Sequence, residues 1–142
     1  MSIAIQKTDD IAFLKDVEKG LDAHNSKSIG KKQIPVRFVL TDSSGVKGGM
    51  KASYVGVSFF VSWLWVDEPV RGQGWGKKLM AAAEEEALKL GCTKMFVDTL
   101  SFQAPEFYGA LGFAECARIP GFYDGHDRIF FQKKLENKPL SF

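Results

Sequence analysis

The chain has no apolar run long enough to cross a bilayer. Its longest, VSFFVSWLWV over Val57–Val66, is half of what a spanning helix needs and contains two serines. The N-terminus, MSIAIQKTDD, lacks the basic start, apolar stretch and small-residue cleavage site of a secretory leader, so the expected location is cytoplasmic. Cysteine is scarce: Cys92 and Cys116 have neither CxxC nor metal-type spacing and read as two reduced thiols. Histidine is equally scarce, His24 and His126 being too scattered for a histidine-rich site, and no metal is expected. The net charge is only +2, without a basic stripe interleaved with aromatics, which excludes a general nucleic-acid binder. One absence is local. Between Lys51 and Asp67 there is no carboxylate and no histidine.

What is present is the composition of a folded protein, 45% apolar and 25% charged over 142 residues, which suits one domain spanning 1–142. Ser2–Lys7 alternates enough for a short first strand. Thr8, Asp9 and Asp10 supply an N-cap and first-turn acids for a helix to about Asn25, with Ile11, Leu14, Val17 and Leu21 on its apolar face. Asn25–Gln33 is polar and reads equally as a loop or a short second helix. Period-two patterning begins at Ile34. IPVRFVLT is a strand, DSSG a turn, and VKGGMKASYVGV a second strand in which Gly48 and Gly49 suggest a bulge. FFVSWLWV is apolar on both faces, as a central strand covered on both sides would be.

Leu79, Met80, Ala83, Ala87 and Leu90 then form a helical stripe that stops at Gly91, a left-handed C-cap candidate. TKMFVDTL is a strand, so strand-helix-strand implies a parallel crossover. Pro105 opens a short helix that Gly112 ends. FAECARI and HDRIFFQKKL close the chain as a strand pair joined by PGFYDG. The expected fold class is mixed α/β, a largely antiparallel sheet with one parallel strand pair.

The segment EPVRGQGWGKKL, Glu68–Leu79, lies between the central strand and a helix. A P-loop needs four residues between its glycines and a hydroxyl after the lysine. Here Gly72 to Gly76 encloses three, and Lys78 stands where the hydroxyl belongs. A dinucleotide fingerprint fails as well, because Lys77 occupies its third glycine position and the segment follows an antiparallel meander. What remains is Arg-x-x-Gly-x-Gly, carried by Arg71, Gly74 and Gly76. Its amides and the helix N-terminus form a donor nest for an anion. Arg71, Lys77 and Lys78 sharpen that reading. Cations at a helix N-terminus are unfavourable by roughly 0.3–1 kcal/mol each, so something negative is expected there. A pyrophosphate fits.

At this point the sequence resembles the GCN5-related N-acetyltransferase (GNAT) family, whose R/Q-x-x-G-x-G/A motif binds the pyrophosphate of coenzyme A. LWVDEPVRGQGWGKKLM is similar to the family's strand-loop-helix core. VDTLSFQAPEFYGALGF is similar to the strand and short helix that follow, with the recurring FY...LGF ending. The resemblance covers about Val46 to Leu135, and the N-terminal third by order of elements. It implies a GNAT fold with acetyl-CoA as co-substrate and no metal. Leu64, Trp65 and Val66 would pair with the pantetheine arm. Arg71, Gly72, Gln73, Gly74, Trp75, Gly76 and Lys77 would hold the pyrophosphate, and Tyr108 would be the general acid that protonates the departing thiolate. Ser101 stands where the family often has Asn, seven residues before this tyrosine, and its hydroxyl would cap the helix or bond the pantetheine. The proline that usually precedes the loop arginine by three residues is displaced to Pro69, with Glu68 in its place.

The reaction implied is acetyl transfer to a primary amine of a small molecule by direct attack on the thioester. A protein or peptide acceptor, or a non-catalytic acyl-CoA-binding module, are the alternatives. An amine must lose a proton before it attacks, and the central strand offers no base. Ordered water or a strand-end carboxylate (Asp67, Glu68 or Asp98) must then serve. Phe122, Tyr123, Asp124, His126 and the 24–33 segment would border the acceptor, with Trp63 and Trp65 adding aromatic surface. The resemblance also leaves a homodimer open, since exposed sheet edges of this fold often pair.

Overall fold

The computed structural model describes residues 2–136 and divides into two units, Met1–Lys32 and Gln33–Phe142. No helix among the described residues is long and apolar enough to cross a membrane.

In the first unit the expected strand over Ser2–Lys7 is absent, and those residues adopt no regular structure. A strand exists only when a neighbour satisfies its amides, and none among the described residues does so. The helix also starts later than its cap-like residues suggested: α1 spans Leu14–Asn25. Thr8 Oγ1 accepts from the Asp10 amide at 3.0 Å, and Asp10 Oδ1 accepts from the Ala12 amide at 2.9 Å. These local bonds hold the backbone in turns that compete with a helix, so the helical ladder begins only beyond them. After Asn25 the chain turns and no second helix forms before Gln33.

The second unit is a six-stranded sheet in the order β1-β2-β3-β4-β6-β5. Its strands are β1 Ile34–Asp42, β2 Gly45–Val55, β3 Ser58–Val66, β4 Lys94–Leu100, β5 Ala114–Tyr123 and β6 His126–Lys134. All neighbours are antiparallel except β3 and β4, which run parallel and are joined by α2, Trp75–Lys89. The α2 stripe of Leu79, Met80, Ala83 and Ala87 is buried in one cluster with Phe59, Val61, Met95, Val97, Ile129 and Phe131. Past its end, Gly91 takes φ +82°, and the Cys92 amide donates back to the Ala87 carbonyl at 2.8 Å. That closes the helix as a left-handed glycine cap does. Pro105 opens α3, Pro105–Ala110, and Gly112 at φ +91° lets the Phe113 amide return to the Tyr108 carbonyl.

Three expectations for the sheet need correction. Gly48 and Gly49 do not themselves form the bulge; the β1–β2 register shifts at Lys47, since Leu40 faces Gly48 and Thr41 faces Val46. The glycines are required by close approach. A Cβ at Gly48 would lie 2.6 Å from the Trp65 carbonyl oxygen, and one at Gly49 would lie 2.8 Å from that of Phe38. Next, β5 continues through Pro120 to Tyr123 rather than giving way to a loop at Ile119. The Asp127 carboxylate accepts from the Gly121 amide at 3.1 Å and so absorbs the register shift. Asp124 and Gly125, both at positive φ, then make the two-residue turn that such a dipeptide favours. Finally, β3 is central but not covered along its whole length, because Trp63 and Trp65 are 68% and 51% exposed.

Candidate active site

The parallel pairing of β3 and β4 lasts only from Ser58–Val61 against Lys94–Val97. On β2, Val61 faces Ala52 and Trp63 faces Lys51, which leaves Ser62 as the extra residue of a β-bulge. A bulge bends its strand, and beyond this one β3 leaves β4 while β4 stays paired with β6. The two strands thus part in a V. The space between them continues past the loop after β3 and along α3 as a cleft of about 780 Å³, within the range of small-ligand sites.

The glycine loop forms part of the cleft wall. A short 3-10 turn, Glu68–Val70, brings the chain off β3, and Arg71 Nε donates to the Val66 carbonyl at 2.7 Å. That bond fastens the entry of the loop to the end of the strand. Gly72 and Gly74 take φ +76° and +83°, and a Cβ on either would meet nothing within 4 Å. Gly74 is also the N-cap of α2, offers no side-chain cap, and is followed by a first turn without acids. The amides from Gly72 through Lys77 have no acceptor among the described residues. Lys77 borders the cleft, whereas Lys78 lies over the Trp75 ring with its ammonium 4.3 Å from the centroid. Unpaired donors, a helix N-terminus and uncompensated cations converge on one concavity. It is built for an anion.

To the same cleft α3 presents Tyr108. Its ring is buried against Phe107, Phe113 and Phe131, at centroid distances of 5.1, 6.0 and 5.8 Å. The hydroxyl has no protein partner among the described residues, yet it is not sealed from solvent, and the residue lines the cleft. Burial, and then the negative charge of Asp98, push its pKa up to about 12. The phenol is thus held in its acid form. Asp98 borders the cleft from β4 and is itself fastened, with Arg128 Nε donating to its Oδ2 at 2.7 Å. The Arg128 guanidinium lies over the Phe122 and Phe130 rings at 5.1 and 4.9 Å.

Most residues singled out in the sequence meet in this cleft: Leu64, Trp65, Val66, Arg71, Gly72, Gly74, Trp75, Gly76, Lys77 and Tyr108. Gln73 and Ser101 are not on its wall; the Ser101 hydroxyl accepts from the Asp127 amide at 3.0 Å instead. Of the three carboxylates only Asp98 borders the cleft, Asp67 being paired with Lys47 at 3.9 Å. Phe122, Tyr123, Asp124 and His126 do not line it either, and His126 packs edge-on against Phe102 at 4.6 Å. The sequence reading passed over Ser62, Thr99, Gln103 and Phe107, all of which the structure brings to the cleft or its latches. The bulge at Ser62 carries no glycine or proline to announce it. Nothing in SFQAP distinguishes Ser101 from Gln103 before the turn is seen.

The acetyltransferase (GNAT) domain model matches residues 36–115. Blasticidin-S acetyltransferase of Streptomyces morookaense is 36% identical over 109 residues, which cover 71% of this chain and 78% of that one. An acetyltransferase of Agrobacterium fabrum is 28% identical over 138 residues, 95% of this chain and all of its own. The crystal structure of an acetyltransferase from Bacillus cereus superposes with a TM-score of 0.80 at 28% identity, covering 94% of this chain and 98% of that one.

Proposed function

We propose, from the premise that the chain belongs to the GNAT family of acetyltransferases, that it transfers the acetyl group of acetyl-CoA to a primary amine of a small molecule. The observation that carries this reading is the V between β3 and β4, with the glycine loop and Tyr108 both on its wall. The pyrophosphate of the donor would sit on the amides from Gly72 to Lys77. Its arm would extend along Leu64, Trp65 and Val66 as an added strand does, satisfying backbone groups that β4 no longer meets. Gln73 would contribute through its backbone amide.

The chemistry follows from this placement. The acceptor amine sheds its proton to water or to Asp98, the one of the three candidate carboxylates on the cleft wall. Its nitrogen attacks the thioester carbonyl, whose oxygen takes on negative charge near the amides of β3, where a donor is most effective. Collapse breaks the carbon–sulfur bond, and the Tyr108 hydroxyl hands its proton to the departing sulfur. The second proton that the nitrogen loses in becoming a neutral amide passes through water to the tyrosinate. Binding both reactants in one cleft supplies the remaining advantage by removing the entropic cost of their encounter. The small-molecule class is supported by the relative that acts on blasticidin S and by the aromatic faces of Trp63 and Trp65 at the cleft.

The test is a panel of primary amines, blasticidin S among them, incubated with acetyl-CoA while thiol release and product mass are followed. The proposal expects at least one small amine to gain 42 Da (about the mass of an acetyl group less a hydrogen) with stoichiometric thiol. Transfer to peptides alone would move the acceptor to the protein class. Coenzyme A binding without transfer to any amine or peptide would make the chain a binding module.

A further inference from the structure

The turn between β4 and α3 holds two polar side chains, and the structure gives them different tasks. Ser101 fastens the turn to β6: its amide donates to the Asp127 carbonyl at 2.9 Å, and its hydroxyl accepts from the Asp127 amide at 3.0 Å. Gln103 is latched to β4 instead. Its backbone amide donates to the Leu100 carbonyl at 2.9 Å, and its side-chain Oε1 accepts from the Leu100 amide at 2.9 Å. The Thr99 hydroxyl, buried, stands 3.2 Å from the same oxygen.

This latch fixes which way the side-chain amide points. A backbone N–H can only donate, so the atom facing Leu100 must be the oxygen, and the nitrogen must face away from it. That nitrogen, Nε2, has no acceptor among the described residues, and the residue is exposed on the wall of the cleft. The Leu100 amide is meanwhile consumed at the edge of β4. In effect a strand-edge donor is exchanged for one carried on a side chain, with both hydrogens unused and its orientation already set. A donor held in this way loses little freedom when it finds its partner.

We propose that Gln103 is a binding residue for the donor, its Nε2 donating to an amide carbonyl of the arm that joins pyrophosphate to thioester. The inference rests on the reading of the cleft as an acetyl-CoA site. It assigns to Gln103 a contact that the family resemblance would give to Ser101.

The experiment titrates coenzyme A and adenosine 3′,5′-bisphosphate, which lacks the arm, into the wild type, Gln103→Glu and Gln103→Met. Glutamate keeps an oxygen for Leu100 and Thr99 but turns the free donor into an acceptor, and methionine removes the donor without adding charge. Both variants should bind coenzyme A about 10-fold more weakly, the usual scale for one lost hydrogen bond to a buried partner. Affinity for the bisphosphate should stay within about 2-fold, and the melting temperature of Gln103→Glu should match the wild type. Unchanged coenzyme A affinity in both variants would overturn the assignment and leave Gln103 a latch. Equal losses for both ligands in Gln103→Met would overturn it too, because the effect would then not pass through the arm. A wild type that binds neither ligand would instead overturn the reading of the cleft itself.

Discussion

Two pairs of glycines, Gly48 with Gly49 and Gly72 with Gly74, look alike in the sequence and serve opposite ends. In β2 the neighbouring strands come so close that a Cβ would lie 2.6 or 2.8 Å from a carbonyl oxygen. In the loop after β3 a Cβ would meet nothing within 4 Å, and glycine is there because φ is positive. The first pair is set by what the folded chain already contains. The second leaves open space lined with unpaired amides and flanked by Arg71 and Lys77. The difference teaches where to look for function: a glycine forced by packing reports on stability, and one that keeps space clear reports on what enters it.

The largest effect should come from the packed pair. Gly48→Ala drives a Cβ into the Trp65 carbonyl and should destabilise by about 3 kcal/mol, as overpacking does. Thermal unfolding would then shift by about 10 °C in a chain of this size. If Gly48→Ala melts with the wild type, β2 and β3 are not as close as described and the comparison fails.

Tyr108 sharpens the contrast, because its ring is packed like the first pair while the residue lines the cleft. Tyr108→Phe keeps the ring contacts and should lower kcat about 100-fold, the lower range for a lost general acid. Coenzyme A affinity and melting temperature should barely move. Since the phenol is held protonated up to about pH 12, it stays competent as an acid at every lower pH. The rate should rise with pH as the acceptor amine loses its proton, with no falling limb from Tyr108 below about pH 11. A falling limb near pH 8 to 9 in the wild type, missing from Tyr108→Phe, would contradict the burial argument (rough limits from ordinary thiol and phenol behaviour).

Smaller effects belong to the loop. Arg71→Ala frees the loop entry from the Val66 carbonyl and should weaken coenzyme A binding about 10-fold, the loss expected for a charged hydrogen bond that organises a site. Its signature is affinity lost without stability lost. Lys77→Gln should weaken binding only about 3-fold at low salt, and the difference should fade as salt screens the exposed charge. A salt-independent loss would show that Lys77 acts by shape and not by charge.

Much of this was legible in the chain. The α2 stripe, Gly91, Pro105 and the Arg71–Gly76 spacing each express a local rule, and local rules survive into the fold. So the crossover and the mixed sheet followed from patterning. What escaped reading depended on partners distant in sequence. Ser2–Lys7 alternates like a strand but finds no neighbour, and Thr8 and Asp10 spend their side chains on turns. The strand character of Pro120–Tyr123 relies on the Asp127 carboxylate, and the opening of the cleft relies on one extra residue, Ser62, opposite β2. The division of labour between Ser101 and Gln103 is decided by Asp127, Leu100 and Thr99, which no spacing rule connects.

The most direct measurement is a calorimetric titration of coenzyme A into the wild type and Gly74→Ala. The account predicts that the added methyl enters the space meant for phosphate and distorts a left-handed position. Affinity should fall at least about 10-fold while stability drops only about 1–2 kcal/mol, the usual cost of a left-handed alanine. Equal affinity in the two proteins would contradict it, because the loop would then not be where the donor is held.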